Sequence, residues 1–203
     1  RFINANSFNL RMPKEIDAWS TKVKYLGVFY FKGFYRAIGE FLKDIDYTNE
    51  HKFKYFERYF YEKHSQNPTE GRSNWIWIRT EKEEEGARFY MYKIELDYHV
   101  RFVKDIEVMR FGQKFVAQKG EVEVSMRAKL VLDPHDEWKN HCLLKHFFDF
   151  YWQRVWRQEK EIHKNVVKGD LLKLQAMIKR YFDLQTFTPP KEEFFPSHGL
   201  KED

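Results

Sequence analysis

The chain is expected to fold as an α+β domain. Its core is a curved antiparallel meander sheet of about six strands, with one helix after the first strand and a long C-terminal helix plus a shorter one. Two period-two runs carry the sheet. Tyr90, Tyr92, Ile94, Leu96, Tyr98, Val100 and Phe102 are apolar on one parity, while Lys93, Glu95, Asp97, His99 and Arg101 fill the other. The same alternation returns in Val122, Val124, Met126, Ala128, Leu130 and Leu132 against Glu121, Glu123, Ser125, Arg127 and Lys129. Strands that alternate in this way bury one face and wet the other. The third observation is helical periodicity on both sides of this sheet-forming region, which places helices against one face only.

Taken in order, residues 1–20 are polar, Asn-rich and aperiodic, and are expected to form an arm whose Phe2, Phe8 and Trp19 need a surface to bury them. Both parities of 23–31 are largely apolar, as in a strand covered on two sides. Gly33 then opens a helix in which Phe34, Ile38, Phe41, Leu42 and Ile45 share a face. The Tyr- and Phe-rich run 53–63 favours strand. Trp75, Ile76, Trp77 and Ile78 form a strand with one tryptophan-bearing face. The acidic run Glu83 to Glu85 with Gly86 turns it into the long strand. A further hairpin is expected over 106–118, with turns at Gly112 and at Gly120.

Asp133 and Pro134 end the sheet, because proline supplies no ladder donor. A long helix is expected from about Asn140, with Leu144, Phe148, Tyr151, Val155 and Ile162 on one stripe that Leu143, Phe147, Trp152 and Trp156 widen. Gly169 and Asp170 read as a helix stop and a new N-cap, after which Leu171, Leu174, Ile178, Tyr181 and Phe182 restart the period. The segment 186–203 contains Pro189, Pro190 and Pro196 and is expected to be an extended tail; 21–185 form a single domain.

Composition narrows the functional classes. With 203 residues, 42% hydrophobic and 33% charged, the chain can bury a sizeable core. Aromatics reach 19%, with 20 Phe and 12 Tyr, and most are expected in the core. The formal charge of +5 permits anionic partners without the density of a polyanion binder. One cysteine excludes an intramolecular disulfide framework and slightly favours a reducing, cytoplasmic compartment. No run reaches the roughly 18 apolar residues of a membrane span. The absence of an initiator Met at Arg1 suggests processing or a fragment of a longer product.

The segment from Tyr25 through Gly33 to Tyr47, the Tyr-rich strand after it and the Lys119 to Gly120 turn resemble a group of uncharacterised archaeal proteins. That resemblance spans 23–184 and implies an archaeal or archaeal-viral source, with no catalytic or ligand residue attached to it.

No reaction motif stands out. Cys142 and His146 sit four apart and could face one ion, with His141, His135 or Asp136 as further ligands, but the set is incomplete and a buried structural thiol is the commoner arrangement. No metal, no cofactor and no catalytic residue is therefore expected. Glu95, Asp97, Glu121 and Glu123 fall on wet strand faces, where acids serve solubility. Trp75, Trp77 and Arg79 share a strand face and would make a base-stacking platform if exposed, although paired tryptophans on a strand more often lie in a core. The leading expectation is a protein-interaction or assembly domain that binds a protein partner or itself through Phe2, Phe8, Phe194 and Phe195 in the arm and tail. A START-like cup for an apolar ligand and a nucleic-acid-binding module are the alternatives.

Overall fold

The computed structural model describes residues 15–49, 57–64, 71–83, 89–110, 113–144, 147 and 150–182. The strands are β1 (Glu15–Phe29), β2 (Thr48–Asn49), β3 (Glu57–His64), β4 (Arg72–Glu83), β5 (Tyr90–Arg110) and β6 (Gln113–Leu132). The helices are α1 (Phe31–Asp44), the short α2 (Glu137–Asn140) and α3 (Arg157–Tyr181), with a π-helical turn at Tyr151–Val155. All strand pairs are antiparallel, in the order β1-β6-β5-β4, and both β2 and β3 lie along the outer edge of β4. The expected α+β architecture with a curved antiparallel sheet is the one observed.

Parity decides the layers. Tyr92, Ile94, Leu96, Tyr98 and Val100 of β5 pair with Leu130, Ala128, Met126, Val124 and Val122 of β6, all buried on the face toward the helices. From α1, Phe34, Ile38 and Leu42 enter this layer at i, i+4 spacing; from α3, Val167, Leu171, Leu174 and Ile178 enter it at i, i+4, i+7 and i+11. Phe182 closes the layer, stacked 4.5 Å from Tyr25 and tilted 4.6 Å from Phe34.

One tertiary contact and two local ones cap the helices. The Phe31 N–H, an orphan donor of the first turn of α1, donates to Gln118 Oε1 at 3.1 Å. At the other end Asp46 takes a left-handed φ of 63°. The Asp46 and Tyr47 N–H groups then return to the Lys43 and Leu42 carbonyls at 3.0 and 2.9 Å, a Schellman ending with aspartate where glycine is usual. Asp133 carboxylate oxygens accept from the Glu137 and Trp138 N–H groups at 2.8 and 3.0 Å, so the residue that ends the sheet also starts α2.

Four expectations are corrected. First, β1 begins at Glu15, inside the stretch assigned to the arm, because Glu15, Ile16 and Asp17 pair with Val131, Leu130 and Lys129. Second, Gly120 is no turn. Strand β6 runs straight through it, opposite a bulge where the β5 register slips between Arg101 and Lys104 and Phe102 adopts a φ of 57°. A Cβ at Gly120 would lie 2.8 Å from the Arg101 carbonyl oxygen, so the close backbone approach demands glycine. Third, α3 runs unbroken through Gly169, and the break falls at Trp156. Asp170 is buried mid-helix, accepting from the Tyr47 hydroxyl at 3.4 Å and from Lys173 at 3.1 Å, so its partners are tertiary rather than a cap. Fourth, much of the stripe expected to bury the preceding helix is exposed, including Leu143, Phe147, Val155 and Ile162.

Candidate functional site: the open face of the sheet

The face turned away from the helices carries two kinds of side chain. Its centre is a lattice of ion pairs built by cross-strand register. Asp97 lies 2.7 Å from both Arg79 and Arg127, and Glu95 lies 3.2 Å from Arg127 and 2.9 Å from Lys129. Lys129 also reaches Glu15 at 3.1 Å, Lys93 reaches Glu81 at 2.8 Å, and Lys22 reaches Glu123 at 2.8 Å. Lys24 reaches Glu121 at 3.1 Å, and Arg101 pairs with Glu121 and Glu123. The alternating acids are thus partners of alternating bases on neighbouring strands. Burial raises the Glu121 carboxyl, but Lys24 and Arg101 outweigh it and leave the group below its ordinary value.

Toward the β3 edge the lattice gives way to aromatics. Tyr59 stands opposite Trp77, and Tyr61 stands opposite Trp75, which stands opposite His99. The rings stack along these rows: Tyr59 on Trp77 at 4.5 Å, Tyr61 beside Trp75 at 5.5 Å, and Trp75 on His99 at 4.8 Å with 24° between planes. Trp77 and Tyr59 are each 42% exposed and Tyr61 47%. Burial first, and Arg101 second, lower the His99 pKa, against smaller opposing effects of Glu123 and Glu121. The imidazole is thereby held toward its neutral, stacking form.

The expectation that Trp75 and Trp77 lie in a core is overturned, since both stand on the open face. They share that face with Arg79, as parity requires. Arg79 is occupied, however: beyond Asp97 it donates to the Ile78 and Leu96 carbonyls at 2.8 and 3.2 Å. Sequence reasoning missed Tyr59, Tyr61 and His99 as members of the site. Their signal was the Tyr spacing of two in the edge strand and a histidine on the wet parity of β5.

The remaining candidates fall elsewhere. Phe2, Phe8, Phe194 and Phe195 lie outside the described residues, as does His146. Cys142 is exposed rather than a buried structural thiol, and its neighbours His141 and Leu143 are exposed with it. Among the described residues no group of three or more His, Cys, Asp or Glu side chains is placed to hold a metal ion. No described helix is long and apolar enough to cross a membrane. On the helix side of the sheet, where a cup for an apolar ligand would open, aromatics of β5 meet the helices: Tyr98 is edge-on to Phe34 at 6.1 Å, and the Tyr92 hydroxyl lies 2.7 Å from His163 Nδ1. No family model and no curated protein matches the chain, so residue roles rest on geometry.

Proposed function

We propose that this protein is an interaction and assembly domain whose contact surface is the aromatic corner of the open sheet face. The carrying observation is the exposure of Tyr59, Tyr61 and Trp77, with Trp75 and His99 behind them, beside charges that already neutralise one another. Exposed Trp and Tyr clusters ringed by satisfied polar groups are the composition of protein-binding hot spots. A stacking platform for nucleic acid needs open ring faces and cations available to phosphate. Here the rings turn their faces to one another and Arg79 is held by Asp97, which favours a protein partner. The resemblance to archaeal proteins adds an archaeal or archaeal-viral source to this reading.

The test is native mass by light scattering at two concentrations, with absorbance ratios recorded for bound nucleic acid. The wild-type chain is expected to give a species larger than its 25.0 kDa at the higher concentration, and Trp77→Ala to lose it. Assembly that persists unchanged in Trp77→Ala would count against the aromatic corner. A particle that scatters as protein plus nucleic acid would replace the reading with the nucleic-acid one.

A further inference from the structure

Strand β3 is chemically self-complementary. It lies at the sheet edge and, among the described residues, pairs only with β4. Edge strands normally carry few exposed apolar side chains, because a bare edge with such residues is a template for pairing with another chain. Here Tyr59, Phe60 and Tyr61 are 42, 55 and 47% exposed, the tyrosines on the open face and Phe60 on the other. Arg58, at the register slip between Glu57 and Tyr59, and Glu62, which also lies 3.2 Å from His64 and 3.9 Å from Arg72, flank them.

We propose that β3 pairs antiparallel with β3 of a second copy, about a two-fold axis through Phe60, to form one continuous sheet. This rests on the assembly reading above and names its occupant. The register follows from two constraints. Directly opposed residues must lie on the same face, so the axis passes through a residue and not between two. Of the three aromatic positions, only Phe60 then matches charge. It sets Arg58 opposite Glu62, Tyr59 opposite Tyr61 and Phe60 opposite its own copy, each hetero-pair occurring twice. Centring on Tyr59 would oppose Arg58 to Phe60, and centring on Tyr61 would oppose Arg58 to His64.

The ring rows support the same join. In each copy Tyr59 backs onto Trp77 and Tyr61 onto Trp75, so the tyrosines end their rows at the sheet edge. Across the seam, Tyr59 of one copy meets Tyr61 of the other. Each row thereby continues from Trp77 and Tyr59 into Tyr61, Trp75 and His99 of the second copy, an arrangement of cross-strand aromatic pairs that stabilises sheets. The open faces of the two copies become one surface.

Two experiments test the seam on the intact chain. The first replaces the exposed Cys142 by serine and Phe60 by cysteine. Directly opposed antiparallel residues have Cα atoms about 4.5–5.5 Å apart, inside the range a disulfide spans. Mild oxidation should give a covalent dimer, while Leu26→Cys on the β1 edge, in the same Cys142→Ser background, should give none. The second uses charge. R58E and E62R each place two like-charge pairs across the seam and should weaken self-association at least about tenfold, as like-charge juxtaposition does. Mixing the two variants restores opposite charges at both pairs and should restore a heterodimer. Circular dichroism of each variant verifies the fold.

Restored association on mixing, with the Phe60→Cys cross-link, is the expected result. A wild-type multimer whose mass ignores R58E, E62R and their mixture would overturn the β3 seam while leaving the aromatic corner as an assembly surface. A monomer at every concentration would overturn both.

Discussion

One substitution, glycine to alanine, should have opposite signs at two positions of this fold. At Gly120 the added methyl would meet the Arg101 carbonyl oxygen at 2.8 Å and the Val103 Cα at 3.2 Å. Both are backbone atoms of a strand clamped between β4 and β6, so neither can rotate away, and the bulge at Phe102 has to shift. Overpacking of this kind costs about 1–3 kcal/mol. At Gly169, inside α3, the same methyl meets nothing within 4 Å. There, replacing glycine in a helix interior should stabilise by about 0.5–1 kcal/mol. For a chain of this length each kcal/mol moves the melting temperature by about 2–4 °C. Gly120→Ala should therefore melt about 2–12 °C lower, and Gly169→Ala about 1–4 °C higher. The assay is thermal unfolding by far-ultraviolet circular dichroism at one low protein concentration, because association would make Tm concentration-dependent. If Gly169→Ala destabilised, the residue would be a left-handed helix stop and α3 would be two helices. A neutral Gly120→Ala would remove the bulge geometry.

Three further outcomes follow from the same contacts. Tyr47→Phe should lower the stability measured in urea by about 1–3 kcal/mol, because it strips the buried Asp170 carboxylate of one of its two donors among the described residues, leaving Lys173; no change would mean that Asp170 is hydrated. Stability should fall on acidification in two windows. His99, whose folded pKa lies below 6.5, loses its contribution as pH drops from that value through the lowered one, and Glu15, Glu121 and Glu123, all held below 4.5, lose theirs as pH falls further. A melting temperature flat from pH 7 to pH 3 would contradict the lattice. Cys142 should react with a thiol reagent in the folded protein as fast as in urea, to one label per chain, whereas protection until unfolding would place it in a core.

The layer facing the helices was legible because one parity of β5 and β6 is apolar and the other charged, and that alternation survives any register. The partners on the open face were not, since they depend on register. The bulge at Phe102 slips β5 against β6, and nothing in the local composition marks a phenylalanine for a left-handed φ. Strand β4 was ambiguous for another reason. Trp75 and Trp77 on one parity compete with Ile76 and Ile78 on the other, and only Arg79 and Glu81 on the tryptophan parity point it outward. The unbroken α3 escaped because the partner of Asp170 is Tyr47, far back in the chain, so the Gly-Asp pair looked like a local stop.

The association surface is tested most directly by amide hydrogen exchange of residues 57–64 at low and high protein concentration. With β3 as a seam, amides on its outer edge should exchange quickly in dilute protein and become protected as concentration rises, in step with the growth in mass. Exchange in β3 that is independent of concentration, while mass grows or protection develops around Leu143 to Val155 instead, would contradict the account.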